Sequence, residues 1–200
     1  MPDWIFEAVY LAGIVVEMAI RAPLNRRRRQ MKVVTSRLDG REALLLGLLF
    51  LGMFLLPLVY IFTPWLDFAN YTLPAWARWA GVVLLIGAVG VFWQAHRDLG
   101  RNWSPTLELH EGHSLISHGI YAYIRHPMYA SQWLWIIAQG LLLPNWIAGV
   151  GGALLFLPMY LVRVPIEEQM MLDQFGPQYR DYMARTGRVV PRLSGEKQSA

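Results

Sequence analysis

Three groups of polar residues in this 200-residue chain have the types and spacing for chemistry. The first is the block Arg125-His126-Pro127-Met128-Tyr129. Proline fits the first turn of a helix, where a missing amide hydrogen costs nothing. His126 then stands at a helix start, beside free N–H groups and the positive end of the helix dipole. The second is Arg163-Val164-Pro165-Ile166-Glu167-Glu168, in which Arg163 and Glu167 are four apart and share a helical face. That pair reads as an interfacial salt bridge or as a charged site meeting an amphipathic substrate at a membrane surface, and spacing alone leaves both open. The third is a concentration of imidazoles: all five histidines (His96, His110, His113, His118 and His126) lie in one connection of the chain. His110-x-x-His113 with Glu108 or Glu111 has the ligand types for zinc. There is no His-Glu-x-x-His helix and no third ligand at fixed spacing, so no metal site is expected.

The elements that position these residues are apolar. The composition is 55% hydrophobic and 16% charged, with nine Trp and nine Tyr and no cysteine, and the mean hydropathy is +0.31. Disorder is excluded, since such a chain must bury apolar surface. The lack of cysteine excludes a disulfide framework and Cys-ligated metal. Five stretches approach the roughly 20 residues that span a bilayer: about 4–20, 43–65, 75–95, 128–143 and 146–164. The last two are short and joined by Pro144-Asn145 as a tight hairpin, and Pro158 and Pro165 are expected to bend the fifth. The expected fold class is therefore all-α, an integral membrane bundle of about five helices.

Seventeen of the eighteen Lys and Arg fall in the connections 21–42 and 96–126 and in the segment 163–200. The positive-inside rule makes that side cytoplasmic, with the N-terminus outside and the C-terminus inside. Arg78 is the exception. The basic run 25–32 reads as a topology anchor on anionic headgroups, because no interleaved aromatics or nucleic-acid-binding module accompany it. No nucleic acid partner is expected; the lipid bilayer is. The chain divides into a membrane region 1–95 and a second half, 96–200, that holds the chemistry.

Gly-x-Tyr-x-x-x-Arg-His-Pro-x-Tyr (119–129), Arg-x-x-x-Glu-Glu (163–168) and Phe175-Gly176-x-x-Tyr179-x-x-Tyr182, in this order, resemble the isoprenylcysteine carboxyl methyltransferase family across about residues 96–192. The resemblance implies an S-adenosyl-L-methionine-dependent methyltransferase. Its cofactor pocket is cytoplasmic, formed by the loop before helix four, helices four and five, and the C-terminal segment. Carried over residue by residue, cofactor contacts fall on Thr106, His113, Ser114, Leu115, Ile116, Tyr121, His126, Pro127, Met128, Tyr129 and Glu167. Arg163 matches the arginine that engages substrate, the one catalytic assignment. Val162 stands where eukaryotic relatives tend to carry a second arginine.

The implied acceptor is a lipophilic small molecule or lipidated cysteine, methylated on a carboxylate. A carboxylate is already ionised at neutral pH and needs no general base, whereas a thiol or amine does, and the histidine-rich connection has residues for that role. Two further readings stay open from the helix layout: a nicotinamide-dependent membrane reductase, and a non-catalytic scaffold or transporter subunit. Against transport, no stretch carries paired interior charges and the last two stretches are short.

Overall fold

The computed structural model describes residues 3–28, 33–36, 40–100, 108–110 and 114–192. Among them lie α1 (Trp4–Arg28), α2 (Gly40–Phe62), α3 (Ala75–Leu99), α4 (Pro127–Leu142), α5 (Trp146–Phe175) and a short α6 (Pro177–Arg185). Two brief strands, β1 (Val33–Ser36) and β2 (Glu108–His110), pair antiparallel. Among the described residues the remaining regular structure is helical. β2 begins at Glu108, and residues 101–107 before it lie outside the described residues.

α2, α3 and α5 are long and apolar enough to cross a membrane. α1 carries Glu7, Glu17 and Arg21 along its length, and α4 has only 16 residues. α5 has 30 residues, which corrects the expectation of a short last stretch. Hydropathy detects only its apolar part, but the helix runs on through Glu167 and Glu168 and through both prolines. Gly176, at φ +52°, then ends it with its N–H on Leu172 O at 2.9 Å. A side chain would strain that left-handed backbone.

α4 is the shared wall of two apolar clusters. Its Trp135, Ala138 and Leu142 pack with Phe6 and Tyr10 of α1 and Leu85 and Ala88 of α3. Its Tyr129 and Ile136 pack with Leu45 of α2 and Phe156, Met159 and Val164 of α5. Small residues bring α2 close to α5: a Cβ on Gly52 would meet Leu155 Cβ at 3.0 Å. Such close approach is how helices associate without a hydrophobic driving force between them.

A neutral polar knot ties these helices together at mid-bundle. Pro57 has no N–H to donate to the carbonyl of Met53, four residues earlier. The Tyr10 hydroxyl lies 2.7 Å from that carbonyl and 2.8 Å from Gln139 Oε1. Gln139 Nε2 donates to Gly52 O at 2.9 Å and Ala148 O at 2.6 Å, both in π-helical turns, Leu51–Leu55 and Trp146–Val150.

The two ends of the bundle differ. At one, Asn145 accepts from the N–H groups of Ile147 (3.0 Å) and Ala148 (2.9 Å) and donates to Leu66 O at 2.6 Å. Arg78, the cation off the basic side, is neutralised here. It pairs with Asp3, donates to Leu142 O at 3.0 Å, and stacks 4.1 Å over the Phe6 ring. At the other end lie β1, β2, the start of α4 and the end of α5.

Candidate active site

The turn 119–126 is set by α3. Asp98 accepts from Ile120 N–H at 2.8 Å and from Gln94 at 2.8 and 3.0 Å. Gly119, at φ +59°, lies so close that a Cβ would meet Asp98 Oδ2 at 2.0 Å; no other residue type fits there. The following 3₁₀ turn, Gly119–Ala122, buries Tyr121, whose carbonyl accepts from Tyr182 Oη of α6 at 2.7 Å. Burial holds the Tyr121 phenol well above its ordinary value and pushes Tyr182 up to about 12, so both stay protonated at neutral pH.

The chain after α6 then straps this turn from the other side. Arg125 N–H donates to Gly187 O at 2.8 Å, His126 N–H to Arg188 O at 2.9 Å, and Gly187 N–H to Tyr123 O at 3.0 Å. These hydrogen bonds hold His126 in place at the start of α4, whose first residue is Pro127.

From this frame a charged network reaches into α5. Tyr129 Oη donates to Glu167 Oε1 at 2.7 Å. Arg163 Nη2 is 3.2 Å from the same oxygen. His126 lies between the two glutamates, Nδ1 3.6 Å from Glu167 Oε2 and Nε2 3.3 Å from Glu168 Oε1. Glu168 is further held by Arg125 Nε at 3.2 Å and by Arg188, Nη2 at 2.5 Å. Burial pulls the His126 imidazole down, but the hydrogen bonds and negative charges of Glu167 and Glu168 more than offset it and raise it above its ordinary 6.5. Beside the network, Tyr129, Trp133, Phe156 and Tyr160 form an aromatic cluster, with Tyr129 and Tyr160 edge to face at 5.9 Å and Trp133 and Phe156 at 4.9 Å.

The structure therefore brings together Tyr121, His126, Pro127, Tyr129, Arg163 and Glu167. Met128 lies half-buried between Pro127 and Tyr129. Ser114, Leu115 and Ile116 form an irregular approach to the turn, the serine exposed and the other two half-buried. Thr106 and His113 lie outside the described residues, as do the side chains of His110 and Glu108.

Four charged groups enter that sequence reasoning left without a role. Arg125, Glu168 and Arg188 hold the strap and the turn together. Glu42, from the first turn of α2, places Oε1 3.4 Å from Arg163 Nη1 with its side chain 2% exposed. The trace of Glu42 in the sequence is an acidic residue directly before the apolar stretch 43–65.

The sites of α3 to α5 coincide with a known family. Residues 65–173 match the model of the isoprenylcysteine carboxyl methyltransferase (ICMT) family. The chain belongs to this family. It is 36% identical over 85 residues to the protein-S-isoprenylcysteine O-methyltransferase of Tribolium castaneum, covering 42% of this chain and 30% of that protein. It is 31% identical over 124 residues to the enzyme of the same name from Rattus norvegicus, covering 61% and 44%. With protein-S-isoprenylcysteine O-methyltransferase A of Arabidopsis thaliana it shares 27% over 118 residues, 58% and 60% of the two chains. The chain thus spans between about a third and three fifths of the length of these relatives. The solved structure of a eukaryotic intramembrane Ras methyltransferase, ICMT, aligns over 82% of this chain and 56% of that one at 24% identity with a TM-score of 0.54, so the fold is shared. This family member is an integral, multi-pass membrane protein. Glu42 and Arg188 lie outside the span that the family model matches.

Proposed function

We propose that this chain transfers a methyl group from S-adenosylmethionine to the carboxylate of a lipophilic acceptor of the S-prenylcysteine class, at the cytoplasmic face of a membrane. The observation that carries the reading is Arg163, buried within the membrane-length helix α5 and ion-paired with Glu167, which Tyr129 and His126 also hold. Family membership and the names of the relatives support the same chemistry. The N-terminus is read as outside and the C-terminus as cytoplasmic, from the distribution of Lys and Arg.

The donor set suits a sulfonium amino acid. Of the three carboxylates in the network, Glu167 keeps 26% of its side chain exposed against 7% for Glu168 and 2% for Glu42. It is thus the carboxylate open to an ammonium or hydroxyl group of the methyl donor. The faces of the neighbouring aromatic rings attract a cation. The 3₁₀ turn with Tyr121 and the segment 114–116 would flank the nucleoside end. When bound, S-adenosylmethionine supplies an electrophilic methyl carbon, whose bond to sulfur breaks with the electron pair staying on sulfur as an O–CH3 bond forms.

Arg163 would hold the acceptor carboxylate, which is ionised at neutral pH and gives up no proton. A guanidinium offers two parallel N–H donors to one carboxylate and so fixes its orientation as well as its position. Fixing two reactants in line supplies much of such a rate enhancement, and a dry site strengthens it by removing the carboxylate's hydration. His126 and Tyr129 would hold Glu167 in place, not move protons. The test is a methyl-transfer assay with labelled S-adenosylmethionine on purified protein in lipid nanodiscs, offering N-acetyl-S-farnesylcysteine, the matching neutral amide, a long-chain thiol and a long-chain amine. Transfer to the carboxylate alone is expected; transfer only to thiol or amine would replace the carboxylate mechanism.

A further inference from the structure

We infer that Asp98 is a positioning residue for the methyl donor: from the end of α3 it caps the 3₁₀ turn that carries Tyr121 and, with Tyr182 of α6, sets the orientation of that turn. This rests on the methyltransferase reading above, in which Tyr121 and the segment 114–116 flank the nucleoside end of S-adenosylmethionine. The turn has only four residues, Gly119–Ala122, and 3₁₀ hydrogen bonds have poorer geometry than those of an α-helix. Its first amide hydrogens have no partner within it, and such groups are ordinarily taken by the side chain at the turn's own N-terminus. His118 stands there, and its side chain makes no capping hydrogen bond. The carboxylate of Asp98, 22 residues earlier in the chain, takes the Ile120 N–H instead, at 2.8 Å.

That carboxylate is itself fixed. Gln94, one helical turn back on α3, donates to its two oxygens at 2.8 and 3.0 Å. Arg97 Nε adds a longer contact at 3.5 Å, and the Asp98 side chain is 7% exposed. Gly119 completes the fit, because the space a Cβ would need there is filled by Asp98 Oδ2. From the other side Tyr182 Oη donates to the Tyr121 carbonyl at 2.7 Å. Successive residues of the turn are thus gripped by α3 and by α6, neither of which supplies a group to the charged network of Arg163 and Glu167. The turn takes its place from a membrane-length helix rather than from its own neighbours in the chain. A binding surface needs support of this kind to hold its geometry to a fraction of an ångström. Contacts to the nucleoside end are remote from the methyl carbon and are made equally before and during transfer. Losing them raises KM for the donor and leaves kcat alone.

The experiment uses the full chain in lipid nanodiscs, with calorimetry of S-adenosylhomocysteine and methyl transfer to N-acetyl-S-farnesylcysteine. For Asp98→Ala, the Kd of S-adenosylhomocysteine and the KM of S-adenosylmethionine are expected to rise about tenfold, the scale of one charged hydrogen bond. The kcat and the acceptor KM should stay nearly unchanged. Asp98→Asn keeps an oxygen for the Ile120 N–H and should restore most of the donor affinity. Gly119→Ala, which displaces the carboxylate from the opposite side, should reproduce the loss. Unchanged donor affinity in Asp98→Ala, or a lower kcat or melting temperature at constant donor KM, would overturn the inference and leave Asp98 a support of the fold. Asn binding the donor as weakly as Ala would overturn it too. Should Asp98→Ala fail to fold, Tyr182→Phe removes only the grip from α6; a donor-specific rise of about fivefold is expected, the scale of one neutral hydrogen bond, and no rise would overturn the inference. An unaltered chain that neither binds S-adenosylhomocysteine nor transfers a methyl group would remove the function and this inference together. Binding and transfer by the unaltered chain, with donor affinity unmoved in Asp98→Ala and Tyr182→Phe, would remove this inference alone.

Discussion

Gln139 and Arg163 are both withdrawn from solvent, at 0% and 5% exposure, yet their surroundings are opposite in kind. Gln139 is neutral, and its amide is used up on Gly52 O, Ala148 O and the Tyr10 hydroxyl, groups with no reason to move. Arg163 is charged, shared between two carboxylates from different helices, and next to one that keeps part of its surface open. A saturated neutral knot stabilises a fold, because every partner is backbone or fixed. A buried charged knot stabilises it less, since the cost of dehydrating ions offsets most of the attraction. What it provides instead is a fixed charge beside a carboxylate that keeps part of its surface open.

The comparison is broken most severely by Gln139→Leu. Two buried carbonyls and the Tyr10 hydroxyl lose a partner, so a loss of about 3 kcal/mol is expected, taking 1–3 kcal/mol per stranded group. Thermal unfolding in detergent reads this, and methyl transfer per folded molecule at low temperature should be unaffected. A variant as stable as the parent would show that water replaces the amide and that the knot is not structural. Arg163→Lys should do the reverse. The charge stays while the planar fork goes, so turnover should drop about a hundredfold, equivalent to about 2.7 kcal/mol, with the melting temperature little changed. Near-normal turnover with lysine would reduce Arg163 to a salt-bridge partner.

Glu167→Gln tests the open face of the network. S-adenosylhomocysteine binding, measured by calorimetry, should weaken about tenfold, the value of one charge-assisted hydrogen bond. Equal affinity would move the cofactor pocket away from α5. The smallest effect is pH dependence. His126 is raised above 6.5 by the two glutamates, so its stabilising charge is fully present below 6.5 and lost as pH rises through the raised value. Melting temperature should fall gently as pH rises above 6.5, on the order of 2–4 °C for each kcal/mol lost in a chain of this size. His126→Gln should flatten that slope. A slope of the opposite sign would mean that the neutral imidazole is the form the folded site prefers.

The helices were legible in the sequence where apolar periodicity and punctuation agree. The expected starts at Trp4, Ala75 and Trp146 coincide with the observed ones, and Pro127 begins α4. The ends were harder, because hydropathy stops at the interface while hydrogen-bonded backbone continues. α1 runs on to Arg28, α3 to Leu99 and α5 to Phe175. His126, Tyr129, Arg163 and Glu167 were visible as site candidates because residue type, local spacing and family pattern coincide there. Glu42 was not, since nothing local separates it from an ordinary acid in a first helical turn, where the helix dipole favours any carboxylate. The same holds for β1 and β2 and for the contacts of Gly187 and Arg188, which are made across long stretches of chain. Contacts of that kind are set by packing, which a linear pattern does not carry.

The strap after α6 has a consequence for biogenesis. His126 and Glu168 are locked by residues 186–188, which leave the ribosome after α1 to α6. The helices can enter the bilayer one after another during synthesis, but the charged network acquires Arg188 and its backbone partners only after α6 has been made. A growing chain is therefore a membrane protein before it is a finished site. The same order makes the stretch from Thr186 to Arg188 a poor place for a fusion junction and a sensitive one for a premature stop.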